Sequence, residues 1–439
     1  MRGCSTALPC KVLQLLAASK RWFTVGFQSV TVSQMKDQTT HELEALLIGG
    51  NWPDLMMAAL GLLTRAGFAV DVISTNAFLT KNTSIRNYFL AEKDDALLKT
   101  ASEIIKKEYT LIVVGDDPTL IKILDLDLPD DDKLKLLPVI SHNNFCHIFS
   151  KIGLSVAFSK NGVRTPDYLI ANNEHELKTS APTLGYPIFV KLDSSAGGLG
   201  VYECLDDSDL DNTLVKLLTY PVLIQKKIEG TEVSMEAFYQ NGELIHFAYS
   251  TQEKYTYKFG PAAIRRYTQL AGLEKEVFNE LSLVGKALGA DGFVNMSSIR
   301  CNYDNKLYFF EADMRPNMWT GYSRYFGDDL ADVINRHFTT GETIMYPYPL
   351  NPAHPDQVLI AYYSRISLSE LLLNRYQVWG HLPENFLYIT LRYKFLAGVI
   401  SSKRKLYKRV FPRQWRLRLK NASHQLNIRF MRLLYGDSA

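Results

Sequence analysis

Three groups of residues have the types and spacing to do chemistry. The first is the run Ile188-Phe189-Val190-Lys191-Leu192, followed by Asp193-Ser194-Ser195-Ala196-Gly197-Gly198-Leu199-Gly200. A glycine-rich turn exposes backbone N–H groups with no side chains in the way, which makes a nest for phosphate oxygens. Lys191, at the end of an apolar run, can add a point charge to the same phosphates. The second group is Glu311 and Asp313, two positions apart and therefore on one face if the segment is a strand. Two hard oxygen donors on one face suit Mg²⁺ bridging nucleotide phosphates; an exposed acidic strand edge carries the same pattern. Arg315, on that face too, can hold an anion. The third is a set of isolated cations, Lys151 and the lysines and arginines of residues 251–266, where Lys254, Lys258, Arg265 and Arg266 either face a substrate or line a solvated loop.

The elements that must position these groups are legible from pattern. Ala45 to Ile48 reads as a buried strand, Gly49-Gly50-Asn51 as a turn, and Pro53 as a first helical position. Ala69 to Ile73 and Leu111 to Val114 are further strands, and this alternation predicts a parallel α/β layer. The Gly49-Gly50 pair lacks G-x-G-x-x-G spacing, so plain turn geometry is the favoured reading over a phosphate cradle. A helix is expected over 144–159, ahead of Gly162-Val163-Arg164-Thr165-Pro166. Val222 to Ile224 is a strand leading into Gln225-Lys226-Lys227-Ile228. Asn241-Gly242 joins one hairpin, 232–250, and Asp304-Asn305 a second, 293–313, that ends in the acidic pair.

Composition sets the bounds. The chain has 439 residues, 46% hydrophobic and 22% charged, which is ordinary globular usage and excludes wholesale disorder or a fibrous chain. Its longest apolar run, Leu55 to Leu63, is half of the ~18 residues a membrane span needs. Five scattered cysteines with no C-x-x-C spacing suit a reducing cytoplasm rather than a disulfide framework or zinc knuckle. Residues 385–439 hold 13 Lys/Arg against Asp437 alone, so the net +3 of the chain divides into +12 there and −9 before it. The first 36 residues contain no acid; a disordered start is favoured over a transit-like leader.

Taken in order, Lys151, Lys191, the glycine turn, Gln225 to Glu232 and Glu311-x-Asp313-x-Arg315 resemble the ATP-grasp superfamily. The likeness is greatest to its carbamoyl-phosphate-synthase-like branch, with D-alanine–D-alanine ligase a more distant cousin. It covers about residues 43–343. The resemblance implies an α/β and α+β fold class. A Rossmann-like N-terminal (pre-ATP-grasp) domain over 41–140 precedes a two-subdomain ATP-grasp fold over 141–343. An N-terminal extension, 1–40, and a C-terminal extension with its basic tail, 344–439, flank them.

Residue by residue, the resemblance makes Lys151 and Lys191 phosphate contacts, Lys191 also catalytic. Ser194, Ser195, Gly197, Gly198 and Gly200 become the loop that closes over phosphate. Gln225, Lys226, Lys227 and Ile228 become the hinge at adenine, with Gln225 where the family usually has Glu, and Glu232 the acid at the ribose. Glu311 and Asp313 become the metal ligands, with Asp313 where the family has Asn, and Arg315 a catalytic arginine. Ser150 stands where the family has Asp beside the lysine. Ser297 and Ser298 stand thirteen or fourteen residues before Glu311, where the family supplies a further metal ligand.

The implied cofactors are ATP and one or two Mg²⁺ ions, with Mn²⁺ an alternative. The implied reaction is activation of a carboxylate as an acyl phosphate and attack by an amine or similar nucleophile. A nucleotide-binding, catalytically weak scaffold or regulator is the alternative that Ser297 and Ser298 raise. The expected partners are small carboxylates and amines, and a homo-oligomer is compatible. The tail 403–432, eleven basic residues with Tyr407, Phe411, Trp415 and Phe430, suits a cap on the acidic body or an anionic membrane surface, with cytoplasmic or peripheral location. Nucleic acid is disfavoured because no groove-reading motif accompanies the charge.

Overall fold

The computed structural model describes residues 42–362 except 105, 217–218 and 344–345, together with 365–366 and 378–380. The expected N-terminal extension and the basic tail 403–432 lie outside the described residues.

The chain begins with β1 (Glu44–Ile48), β2 (Ala69–Ser74), β3 (Ile85–Leu90) and β4 (Leu111–Val114), a parallel sheet in the order β3-β2-β1-β4. β1 is buried along Ala45 to Ile48, as a central parallel strand covered on both faces must be. The Gly49-Gly50-Asn51 turn is filled from within the protein. Asp116 Oδ2 accepts the Gly50 and Asn51 N–H groups at 2.8 and 2.9 Å, and its Oδ1 caps the helix Asp117–Leu124 through Thr119 N at 2.9 Å. Burial alone raises a carboxyl, but these donors outweigh it and hold Asp116 below the usual range. The turn is structural, and it sets Trp52 and Asp117 at the carboxyl end of the sheet.

A second, antiparallel sheet contains β5 (Tyr168–Ala171), β6 (Ile188–Leu192), β7 (Val201–Cys204) and β8 (Val222–Lys226), ordered β5-β8-β6-β7. The period-2 alternation of β6 sends Ile188 and Val190 into a core with Leu177, Leu210 and Ile224, and leaves Phe189 and Lys191 on the opposite face.

The third sheet has seven strands in the order β13-β12-β9-β10-β11-β14-β15. These are β9 (Gly230–Gln240), β10 (Glu243–Tyr255), β11 (Ala262–Thr268), β12 (Gly292–Cys301), β13 (Leu307–Asp313), β14 (Gln357–Tyr362) and β15 (Val378–Gly380), so the sheet runs on past residue 343. Both expected hairpins are present. Asn241 and Gly242 at φ +50° and +79° close β9–β10, the left-handed pair that a two-residue turn requires. The helix Lys275–Leu288 buries Val277, Leu281, Val284 and Leu288 against this sheet, a stripe at helical spacing. Each such side chain contributes about 1.5–3 kcal/mol on burial. Phe238 and Phe293 of the third sheet share a core with the helix Pro53–Arg65 and with Leu330 and Ile334, which joins the first sheet to the third.

The expected helix over 144–159 is two elements. A 3₁₀ turn, His142–His147, ends before Phe149 at φ +56°, and an α-helix restarts at Lys151–Lys160. The restart has a local cause: Ser150 Oγ accepts the Gly153 N–H at 2.9 Å as an N-cap and donates to Asp193 Oδ1 at 2.8 Å. The split places Lys151 at the first helical position. Among the described residues no helix is long and apolar enough to cross a membrane.

Candidate active site

The second and third sheets face one another across a cavity of about 1020 Å³. Its wall includes Lys151, Lys191, Ser195, Gly197, Gly198, Gln225, Lys226, Lys227, Ile228, Glu232, Glu311, Asp313 and Arg315. Residues more than 160 positions apart in sequence thus meet in one cleft. Two expected loop residues do not reach the wall: Ser194 is exposed, and Gly200, at φ +73°, packs its Cα against Leu192.

At one end the two lysines stand over the glycine turn. Lys191 is 6% exposed and donates to Gln225 Oε1 at 2.6 Å, with its ammonium 4.9 Å from the centre of the Phe310 ring. Burial pushes it down to about 8, against the pull of Glu311. Lys151 reaches Ser195 Oγ at 3.0 Å, and burial lowers it as well. The Asp193 carboxylate takes Ser150 Oγ and the Ile152 N–H, at 2.8 and 2.9 Å, and so anchors the glycine turn to the helix start. Opposite, the β10–β11 turn closes on the glycines. Tyr257 O–H donates to Gly197 O at 3.0 Å, and a Cβ at Gly198 would lie 2.2 Å from Phe259 O. Only glycine allows that approach.

Glu232 accepts from Tyr255 O–H at 2.7 Å and from Gln252 Nε2 at 3.1 Å, and burial raises it. Glu311 and Asp313 project from β13 into the same space. Burial first, and the Asp313 carboxylate second, push Glu311 up to about 7. Such a carboxyl is only partly ionised near neutral pH and gives up its proton fully when a cation arrives, which is the chemistry expected of a metal ligand. Among the described residues no cluster of three His, Cys, Asp or Glu side chains forms a metal cage. Two carboxylates fit Mg²⁺ all the same, since that ion keeps waters and takes the rest of its shell from phosphate.

The register of β12 on β13 decides between the two serines. Ser297 pairs with Glu311 and lines the cavity, whereas Ser298, past a bulge, pairs with Phe309 and is fully buried with its hydroxyl unpartnered among the described residues. Ser297 alone occupies the place of a further ligand. Asn295, two residues earlier on the same face, donates to Asp313 Oδ2 at 3.0 Å and fixes that carboxylate. Sequence reading missed it, although i, i+2 spacing from Ser297 was the available signal.

Arg315 departs most from expectation. Its Nε and Nη2 donate to Asp117 Oδ1 and Oδ2, both at 2.7 Å, Nη2 also reaches Asp313 at 3.1 Å, and Nη1 reaches Pro316 O at 3.3 Å. The guanidinium lies 5.4 Å from the centre of the Trp52 ring. The fork that was expected to hold an anion is taken by Asp117, which starts the helix after β4, so Arg315 here ties the carboxyl end of the first sheet to β13. Burial pushes Asp117 up to about 6 even against this arginine. Arg265, on the wall at 5% exposure, pairs with Glu236 and lies 4.7 Å from the Trp319 ring, while Arg266 turns outward to Glu253 at 2.7 Å. Residues 251–266 are therefore the end of β10, a turn and β11, not a solvated loop, and strand alternation separates Arg265 from Arg266.

Two antiparallel lobes that enclose a cleft, with lysines on one side and carboxylates on the other, define a nucleotide-gripping fold. These features bear out the resemblance to the ATP-grasp superfamily. No family model matches it. It is 27% identical over 229 residues to a carbamoyl-phosphate synthase of Methanobrevibacter smithii, covering 47% of this chain and 56% of that one. It is 24% identical over 195 residues to a D-alanine–D-alanine ligase of a Marinomonas species, covering 40% and 59%. The chain thus spans less than two thirds of either relative. Among solved structures, N5-carboxyaminoimidazole synthetase from Staphylococcus aureus complexed with ADP matches with a TM-score of 0.56 at 16% identity, over 77% of this chain and 88% of that one. The biotin carboxylase domain of Hydrogenobacter thermophilus 2-oxoglutarate carboxylase, solved with MgADP and bicarbonate, matches at 0.53 and 16%, over 73% and 74%.

Proposed function

We propose that the chain is an ATP-dependent carbon–nitrogen ligase. The observation that carries this reading is the convergence of Lys151, Lys191, Glu311 and Asp313 on one cavity beneath the glycine turn. In the reaction a carboxylate oxygen attacks the γ-phosphorus of ATP, and the bond to the β–γ bridging oxygen breaks to release ADP. An amine then attacks the acyl carbon, phosphate leaves, and the amine proton passes to solvent. Mg²⁺, or Mn²⁺, bound at Glu311 and Asp313 would neutralise charge on the transferring group. Lys151 and Lys191 are placed to hold phosphate oxygens, Glu232 to hold ribose hydroxyls, and the Tyr257–Phe259 turn to shut the glycine loop and exclude water. The relative named as a D-alanine–D-alanine ligase supports the reaction class. The scattered cysteines favour the cytoplasm as its place.

The test is ADP release by the full chain with Mg²⁺ and ATP, screened over carboxylates and amino acids with and without amines. Release that needs both partners supports the ligase. Nucleotide binding with no release for any pair favours the second reading, a nucleotide-binding scaffold or regulator, to which Ser297 in place of a metal ligand and the occupied fork of Arg315 point.

A further inference from the structure

Two guanidinium groups of the cavity wall have no part in the nucleotide contacts proposed above, and a role for them rests on the ligase reading. Arg365 follows β14, outside the span 43–343 of the sequence likeness, and lines the cavity together with Arg265 of β11. Its Nη1 donates to Ala262 O at 2.7 Å, which pins it to the strand that carries Arg265. Rings bridge the two: the Arg365 guanidinium lies 5.1 Å from the centre of Tyr362, Tyr362 lies 5.8 Å from Trp319, and Trp319 lies 4.7 Å from the Arg265 guanidinium. Among the described residues Arg365 forms no ion pair. Asp54, exposed on the same wall, accepts from Tyr362 O–H at 3.5 Å instead. Burial pushes Arg365 below the ordinary guanidinium range, with the Arg265 charge adding to it and Tyr362 and Asp54 opposing. Arg265 is 5% exposed, gives Nη1 to Glu236, and leaves its Nε buried without a partner among the described residues.

Two neighbouring cations, one without a counter-ion and one with an orphan donor, make a place for an anion. The triphosphate does not fill it, because its oxygens belong at Lys151, Lys191 and the metal acids. The reacting carboxylate does not fill it either. That group must lie against the γ-phosphoryl at Glu311 and Asp313, and among the described residues neither arginine bonds to those acids. The acid must share the cavity with ATP before the amine is needed, so the remaining anion is assigned to the acid. We propose that Arg365 is a specificity-determining residue: the acid activated here carries a second anionic group, which Arg365 and Arg265 hold and which does not react. A neutral amide of the same shape would leave Arg365 without its counter-ion, so the site should tell an acid from its amide at that far end.

The test is titration calorimetry of the full chain, saturated with Mg²⁺ and the non-hydrolysable imido analogue of ATP, against matched probes. The pairs are succinate and succinamate, adipate and adipamate, L-aspartate and L-asparagine, L-glutamate and L-glutamine, each keeping one carboxylate and differing in the second. The expected result is that the dianion of at least one pair binds about tenfold tighter than its amide, or more, as a charged hydrogen bond allows. In Arg365→Gln that ratio should fall to about one, while affinity for the imido analogue stays within about twofold. Thermal unfolding reports whether the variant is folded; if it is not, Arg365→Lys takes its place, and the ratio should fall without vanishing. No preference in any pair overturns the proposal, as does a preference that either folded variant leaves unmoved. Equal weakening of both members of a pair would mean that Arg365 holds the reacting carboxylate, and a large loss of nucleotide affinity that it holds ATP; either overturns the proposal too. The ligase reading survives all of these results. Failure of the imido analogue to bind the wild type overturns that reading, and the second-anion assignment with it.

Discussion

Lys191 offers the sharpest test, because its environment predicts both a size and a pH signature. The ammonium sits 4.9 Å from the Phe310 ring centre and 5.7 Å from that of Phe189, so Lys191→Met keeps most of the packing and removes the charge. A hydrogen bond to a charged group is worth about 1.5–3 kcal/mol. Loss of one phosphate contact should therefore weaken Mg·ATP binding roughly 10- to 150-fold at pH 7. The pH dependence follows from burial, which brings Lys191 down to about 8. An anion needs the protonated form. At pH 7 about nine tenths of the lysine is charged, and at pH 9 about one tenth, so wild-type affinity should fall by about tenfold between them. The variant, with no such group, should show no step in that interval beyond the titrations it shares with the wild type. The assay is calorimetry of both proteins at pH 7, 8 and 9 in one ionic strength. Equal affinities at pH 7, or parallel pH profiles, would refute the placement of Lys191 at phosphate.

The remaining expectations concern the metal, the serines and the buried histidines. Glu311→Gln should retain the fold and abolish ADP release, since the charge that holds the metal is gone; near-normal turnover would make the carboxylate structural. Ser297→Asp adds a carboxylate opposite Glu311 and should lower the Mg²⁺ concentration needed for nucleotide binding, whereas Ser298→Asp buries an unpaired charge and should mainly destabilise the fold, as urea midpoints can report. His147 and His246 each bond a carbonyl through Nε2, at 2.9 and 3.2 Å, leave Nδ1 buried without a partner among the described residues, and are pushed by burial down to about 4. Their folded values lie below the unfolded one, so the stability they supply is complete above about pH 6.5 and is lost as pH falls toward 4. At pH 5.5 the loss is about 1.4 kcal/mol for each, read as wild type minus the His147→Gln/His246→Gln double variant. That difference cancels the opposite contributions of Glu311 and Asp117, whose values are raised. Identical urea midpoint shifts for both proteins between pH 7.5 and 5.5 would count against it.

Much of the site was legible in the sequence because strands convert spacing into facing. Glu311 and Asp313 share a face by period alone, and Lys191 follows from the alternation of β6. The turns were readable too, since Asn241-Gly242 demands left-handed backbone wherever it occurs. Three things were not readable. The partner of Arg315 is Asp117, 198 residues away, and no local rule relates them. The choice between Ser297 and Ser298 hangs on a bulge that shifts register by one residue, which reverses the faces. The break before Lys151 depends on Asp193 arriving from another sheet to bond Ser150. In each case local pattern set the menu and a distant side chain chose from it.

The charges in the cleft also bear on the metal of the proposed reaction. Arg315 is already matched by Asp117 and Arg265 by Glu236, both pairs being buried. Lys151 and Lys191 face Glu311 and Asp313, two cations against two acids. The walls are thus close to neutral without a nucleotide, and a triphosphate adds several negative charges to a space where burial magnifies each one. The lysines cannot neutralise the phosphates and the acids together. Divalent cations held by Glu311 and Asp313 would do so, adding positive charge against both the carboxylates and the phosphates. A cleft built only to bind an anion would have kept its arginine forks free and omitted the acids. Glu311 and Asp313, costly to bury and repelled by a triphosphate, are the residues that favour the proposed divalent ion arriving with the nucleotide.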